Sequence, residues 1–143
     1  MMDAIPVRQA YLAMYHYLET LFEETHAEDL GEILGSMSFL ADDSTADPAA
    51  WYDWIDAINE TLDTVLVDTI TAKQGYVAMY FYIDELQKRV NSEDLNAVLS
   101  GMELSPEGET VDPVAWNNWL HSVKTIIDAN DESYGRITFV YDN

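Results

Sequence analysis

One octet is spelled twice in this chain, as DPAAWYDW from Asp47 and as DPVAWNNW from Asp112. The two starts lie 65 positions apart. The same offset sets RQAYLAMYHYLETL from Arg8 against KQGYVAMYFYIDEL from Lys73, and EDLGEILGSM from Glu28 against EDLNAVLSGM from Glu93. No gap is needed between 8–62 and 73–127. An internal repeat constrains a fold before any local reading does, because one packing solution has to serve both stretches. The chain has 143 residues. A unit of about 55 residues is marginal alone, so the two are expected to share one core in a single domain.

Each unit reads as three helices. In the first, Val7, Tyr11, Met14, Tyr15, Leu18, Leu21 and Phe22 recur at helical spacing, and Pro6 suits the opening turn. Its twin begins with the capping-box pattern TAKQ at Thr71. The second helix is short, with Leu30, Ile33, Leu34 and Met37 inside and a further capping box offered by THAE at Thr25. In its twin, Asn91 or Ser92 can cap a helix that turns Leu95, Val98, Leu99 and Met102 inward. The third helix opens with the octet itself: Asp47 and Asp112 as N-caps, Pro48 and Pro113 next, then two tryptophans three apart. At 100° per residue, Trp51, Trp54, Ile55, Ile58, Leu62 and Val65 share one side, while Asp53, Asp56, Glu60 and Asp63 form an acidic stripe on another. Trp51 and Trp116 are expected in equivalent buried places. Tyr17 and Tyr82 leave the main stripe and are placed between the copies. The predicted fold is all-α, six helices as two three-helix repeats about a pseudo-two-fold. The tail, 128–143, holds the β-prone RITFVY. A short C-terminal strand there has three open roles: pairing near Val65, adding to another protein's sheet edge, or packing as an extended tail.

Charge limits the partners. Six Lys and Arg stand against 27 Asp and Glu, a net charge of −21. Such a field repels nucleic acid and anionic lipid and attracts basic proteins. It also serves solubility or adaptation to high salt. The copies differ mainly in these charges. The stripe Asp53, Asp56, Glu60, Asp63 becomes Asn118, His121, Thr125, Asp128, and Glu23 and Glu24 become Lys88 and Arg89. With Asp42 and Asp43 nearby, the first copy offers a docking face for Lys and Arg made of Asp42, Asp43, Asp53, Asp56, Glu60, Asp63, Glu23 and Glu24.

No catalytic signature is present. The chain has no cysteine. His16, His26 and His121 form no metal-ligand spacing and read as surface or boundary residues. ADDSTAD lacks the glycine and final glutamate of a calcium loop, and there is neither a phosphate loop nor a nucleophile elbow. The dense aromatics lack the basic groove that single-stranded nucleic acid requires, so they read as core. No apolar run is long enough to span a membrane. MMDAIPVRQ lacks the regions of a signal peptide, so the chain reads as cytoplasmic.

The motifs AYLAMYHYLE, DLGEILGSM and ADPAAWYDW resemble those of small acidic bacterial proteins, some of them similar to immunity proteins of contact-dependent growth inhibition and related toxin systems. The resemblance covers roughly 8–62 and 73–127. It implies a cytoplasmic protein that binds a cognate toxin domain, often a basic nuclease. The second copy departs from the pattern where Gly31 and Gly35 become Asn96 and Ser100. The leading expectation is therefore a non-enzymatic immunity or inhibitor protein that needs no cofactor and docks an acidic face on a basic toxin or nuclease. Two others stay open: a nucleic-acid mimic acting on a DNA- or RNA-binding protein, and a small-molecule-binding or enzyme domain with a pocket between the repeats. Monomer and homodimer are both open.

Overall fold

Helix starts are the most explicit local instructions in this sequence, and most of them are obeyed. The computed structural model describes residues 4–40, 42, 44–63, 67–107 and 109–129. Its elements are β1 (Ile5–Pro6), α1 (Val7–Thr25), α2 (Glu28–Met37), α3 (Pro48–Leu62), β2 (Thr69–Ile70), α4 (Ala72–Val90), α5 (Glu93–Gly101) and α6 (Pro113–Ala129). Asp47 accepts from the Ala49 amide at 3.0 Å and Asp112 from Val114 at 2.9 Å. Thr71 and Gln74 exchange side-chain bonds with each other's amides at 3.0 and 2.8 Å, closing the predicted capping box. Ser92 caps α5 through the Leu95 amide at 3.2 Å. The box predicted at Thr25 does not form. His26 turns left-handed at φ 55 and ends α1 before α2 begins, which leaves Thr25 in the last turn of α1, donating to the Leu21 carbonyl at 2.9 Å.

Among the described residues the chain is six helices, as expected, with one small two-stranded sheet that the sequence reading did not place. β1 and β2 are antiparallel, with Ile5 opposite Ile70 and Pro6 opposite Thr69. Ile5 and Ile70 are both buried, so the pair closes one end of the core. The tail strand expected in RITFVY lies outside the described residues, as does Val65. α3 ends at Leu62, and Asp63 takes the left-handed cap at φ 55.

α1 packs most extensively on α6, and α4 on α3. α1 also meets α2, α4 meets α5, and α2 touches α5. The third helix of each half therefore lies chiefly on the first helix of the other half. Buried residues from both halves form one core. Trp54 and Trp119 sit in it with no exposed surface. Each donates its indole N–H to a backbone carbonyl, Trp54 to Val7 at 3.2 Å and Trp119 to Ala72 at 2.8 Å. Tyr82 meets Trp54 at 6.2 Å between ring centroids, and Tyr17 meets Trp119 at 6.4 Å, so both tyrosines line the contact between the halves. Tyr11 and Tyr76 donate to the carbonyls of Met37 and Met102 at 2.7 and 3.1 Å, tying α2 to α1 and α5 to α4.

Trp51 and Trp116 are half-buried rather than buried. The buried face of α3 is centred on Ala50, Trp54, Ala57 and Ile58. Trp51 lies at the edge of that face, against Tyr11 and Phe39 at 5.4 and 6.4 Å. Trp116 keeps the matching contact with Tyr76 at 5.8 Å.

Candidate functional site: the acidic groove between α3 and α4

The packing of α3 on α4 decides where the acidic stripe ends up. Asp53, Asp56 and Glu60 form one wall of a groove of about 480 Å³, and Phe81, Tyr82, Glu85 and Arg89 of α4 form the other. Asp56 and Glu60 are exposed, whereas Asp53 is half-buried. The Arg89 guanidinium crosses the groove and donates to Asp53 Oδ2 at 2.9 Å. That bond is the largest cause holding the Arg89 pKa above its ordinary value. Burial of the Tyr82 phenol beneath the groove raises its pKa as well. Four carboxylates thus face one guanidinium, and three of the four come from positions where protonated donors of a partner can reach. An exposed ion pair of this kind stabilises the fold by about 0–1 kcal/mol. The pair occupies Asp53, so the exposed carboxylates of the groove are Asp56, Glu60 and Glu85.

The remaining predicted docking residues do not all join this groove. Asp63 is the exposed left-handed cap beyond α3. Asp42 stands in the α2–α3 loop, where the Ser44 hydroxyl and amide donate to it at 2.6 and 3.0 Å and hold its carboxyl below the usual range. Asp43 lies outside the described residues. Glu23 and Glu24 sit at the end of α1, and Glu24 lines a different groove, against α6. Sequence reading missed Glu85, Arg89 and the exposed Tyr52, which shows 67% of its surface on α3. A signal for Arg89 was present in the charge reversal between Glu24 and Arg89, and one for Tyr52 in its match to Asn117.

His16 and His121 meet at the α1–α6 seam. His16 Nδ1 lies 2.8 Å from Ser122 Oγ, and its ring is 6.1 Å from that of His121. Burial lowers the His16 pKa, the neighbouring His121 pushes the same way, and Glu23 opposes both. The groove beside His121 and Ser122 holds about 40 Å³, roughly one water. His26 is the exposed cap of α1. A recess of about 510 Å³ adjoins Trp51, Tyr52 and Arg8, whose guanidinium lies 4.5 Å over the Phe39 ring. Among the described residues no group of three or more His, Cys, Asp or Glu is placed to hold a metal ion, and no helix is long and apolar enough to cross a membrane.

Comparison with protein-family models, with curated proteins and with solved structures gave no match in any of the three.

Proposed function

We propose that this chain is a non-enzymatic acidic binding protein of the cytoplasm that docks the solvent face of α3 on a basic protein, as an immunity or inhibitor protein docks on a toxin or nuclease domain. The observation that carries this reading is the α3–α4 groove: Asp53, Asp56, Glu60 and Glu85 converge there, and Arg89 is the one base among the described residues of its lining. The net charge of −21 adds a long-range field that speeds encounter with a basic surface. Tyr52, exposed on the same helix, supplies the aromatic anchor common at interface hot spots. The docking set is Asp53, Asp56 and Glu60 at the centre, with Asp63 at the end of the same helix, and Asp42, Asp43, Glu23 and Glu24 contributing charge to the field.

The chain is one domain made of two copies of a three-helix unit about a pseudo-two-fold. Support comes from interactions that recur at an offset of 65: the indole bonds of Trp54 and Trp119, the phenol bonds of Tyr11 and Tyr76, and the loop bridges Phe39–Thr45 and Leu104–Thr110. On this reading the duplicated scaffold is held constant while its exposed faces diverge, and the acidic docking face belongs to the first copy.

The test is affinity capture with the wild-type chain, with Asp53→Asn/Asp56→Asn/Glu60→Gln/Asp63→Asn, and with Asp128→Asn. A Lys- and Arg-rich protein held by the wild type and by Asp128→Asn, and released by the fourfold variant, supports the reading. Equal retention by all three chains sinks it.

A further inference from the structure

Four helices, α1, α2, α5 and α6, meet around a recess that adjoins the small groove beside His121 and differs in character from the α3 groove. It measures about 490 Å³. Leu21, Leu30, Val98 and Val114 supply apolar walls, and Ala97 stands exposed among them. Glu24 of α1, Asp94 of α5 and Asp112 at the cap of α6 stand around it, and among the described residues no Lys or Arg lines it. Two of these carboxylates are held in place by backbone amides: Asp94 accepts from Asp29 at 3.1 Å and Asp112 from Val114 at 2.9 Å. Each keeps acceptor capacity for a further donor.

The other half of the chain offers an internal reference. At the 65-residue offset, Glu24 is matched by Arg89, Asn118 by Asp53, Ala97 by Glu32 and Val114 by Ala49. There the chain supplies its own guanidinium, bonded across to Asp53. Here the same place holds a carboxylate, and the wall exchanges Glu32 for Ala97 and the small Ala49 for Val114, which is 61% exposed. The matching place carries the cation, while this recess presents acids around an apolar floor.

We propose that this recess is a second docking site, which takes an apolar side chain flanked by Lys or Arg on a segment of a basic protein. The floor desolvates the apolar group, and the three carboxylates receive the flanking cations. The volume falls in the range of sites that enclose a ligand-sized group. A second copy of this chain does not suit the recess. Two bodies of charge −21 repel each other. Moreover Lys73, Lys88, Arg89 and Lys124 are already ion-paired within the chain. The site is separate from the α3 face, and each stands or falls without the other.

The probe is a fluorescent synthetic peptide of Leu and Lys at amphipathic helical spacing, with a control in which every Leu is Ser, both followed by anisotropy on the full chain. The Leu/Lys peptide binds at least about tenfold more tightly than the control. Ala97→Arg, at an exposed position, fills the recess with a side chain and a positive charge and removes that preference while helix content and melting stay unchanged. Val114→Ala, which installs the residue of the other half, reduces the preference without adding charge and serves if Ala97→Arg fails to fold. Asp53→Asn/Asp56→Asn/Glu60→Gln lowers the affinity for both peptides alike and leaves their ratio intact. Equal affinity for the two peptides overturns the proposal. So does a preference lost in the α3 variant but kept in Ala97→Arg and Val114→Ala. A wild-type dimer that Ala97→Arg dissociates would assign the recess to a second copy and overturn it equally.

Discussion

Trp54 and Trp119 each bury a whole indole and satisfy a carbonyl in or beside the first turn of a helix. Truncating either to Ala costs about 3–5 kcal/mol through lost contacts and the cavity left behind. Replacement by Phe keeps most of the apolar contact but removes the indole donor from the Val7 or Ala72 carbonyl, which keeps its helical bond, at about 0.5–1.5 kcal/mol. Denaturant titration of the four variants checks both figures. Gly75 tests the packing from the other side. A Cβ there would lie 2.9 Å from Cζ2 of Trp119, although the matching position holds Ala10. Gly75→Ala should therefore destabilise by about 1–3 kcal/mol despite its better helix propensity, and a gain in stability would show that the indole can shift freely. The tyrosines set the alkaline limit. Burial pushes the Tyr17 pKa from 10.0 up to about 12, and Tyr11, Tyr76 and Tyr82 rise too. The folded chain then holds its phenols neutral where the unfolded chain releases protons. Stability is intact below pH 10.0 and is lost as pH climbs toward the folded values, with about 12 for Tyr17. Tyrosinate absorbance and helical ellipticity should change together in that window. Two tryptophans three apart were legible as a shared face, but which of each pair is buried was not. That depends on how α3 is rotated against α4, and no periodicity within α3 encodes it.

Caps are the element-scale feature that sequence states most directly, because each is a local bond between a side chain and an amide two or three residues on. Asp47→Ala should cost about 1 kcal/mol, measured as a shift in denaturation midpoint at unchanged slope. The misread cap at Thr25 shows the limit of that legibility. The motif was present, but the left-handed turn at His26 placed it at the end of the preceding helix. β1 and β2, two residues each, are too short to carry an alternating pattern. The acids of α3 were readable as a stripe. Their opposite wall was not, because Glu85 and Arg89 reach it only through the choice of α4 as the neighbour of α3. The seam between α1 and α6 has its own pH response. The His16 pKa is lowered from 6.5, so the folded chain favours neutral imidazole. Its contribution is present above pH 6.5 and is lost as pH falls through the folded value. His16→Phe, which installs the residue found at Phe81, should flatten the fall in stability between neutral pH and the onset of carboxylate titration. An unchanged slope would remove His16 as its source.

At the scale of the whole molecule, charge governs behaviour that the fold alone does not. A net −21 on 143 residues repels itself in the folded state, so added salt should raise the melting temperature. Calorimetry at rising sodium chloride checks this, and a fall would mean that attractive ion pairs dominate. The same field should steer association. Docking through the α3 face is tested most directly by the on-rate for the basic protein retained by the wild-type chain, taken against ionic strength. It compares the wild type with Asp53→Asn/Asp56→Asn/Glu60→Gln/Asp63→Asn and with Asp128→Asn. The helices should persist in both variants. Asp56 and Glu60 project from α3 into solvent, Asn tolerates the left-handed cap at Asp63, and the Arg89–Asp53 pair is partly exposed. The fourfold variant should show a slower on-rate and a much weaker salt dependence, because steering is screened beyond about 8 Å at physiological salt. Asp128→Asn, whose carboxylate is already paired with Lys124 at 2.6 Å, should behave as the wild type. Equal on-rates and equal salt slopes for all three chains would make the α3 face an ordinary solvated surface and not a docking face.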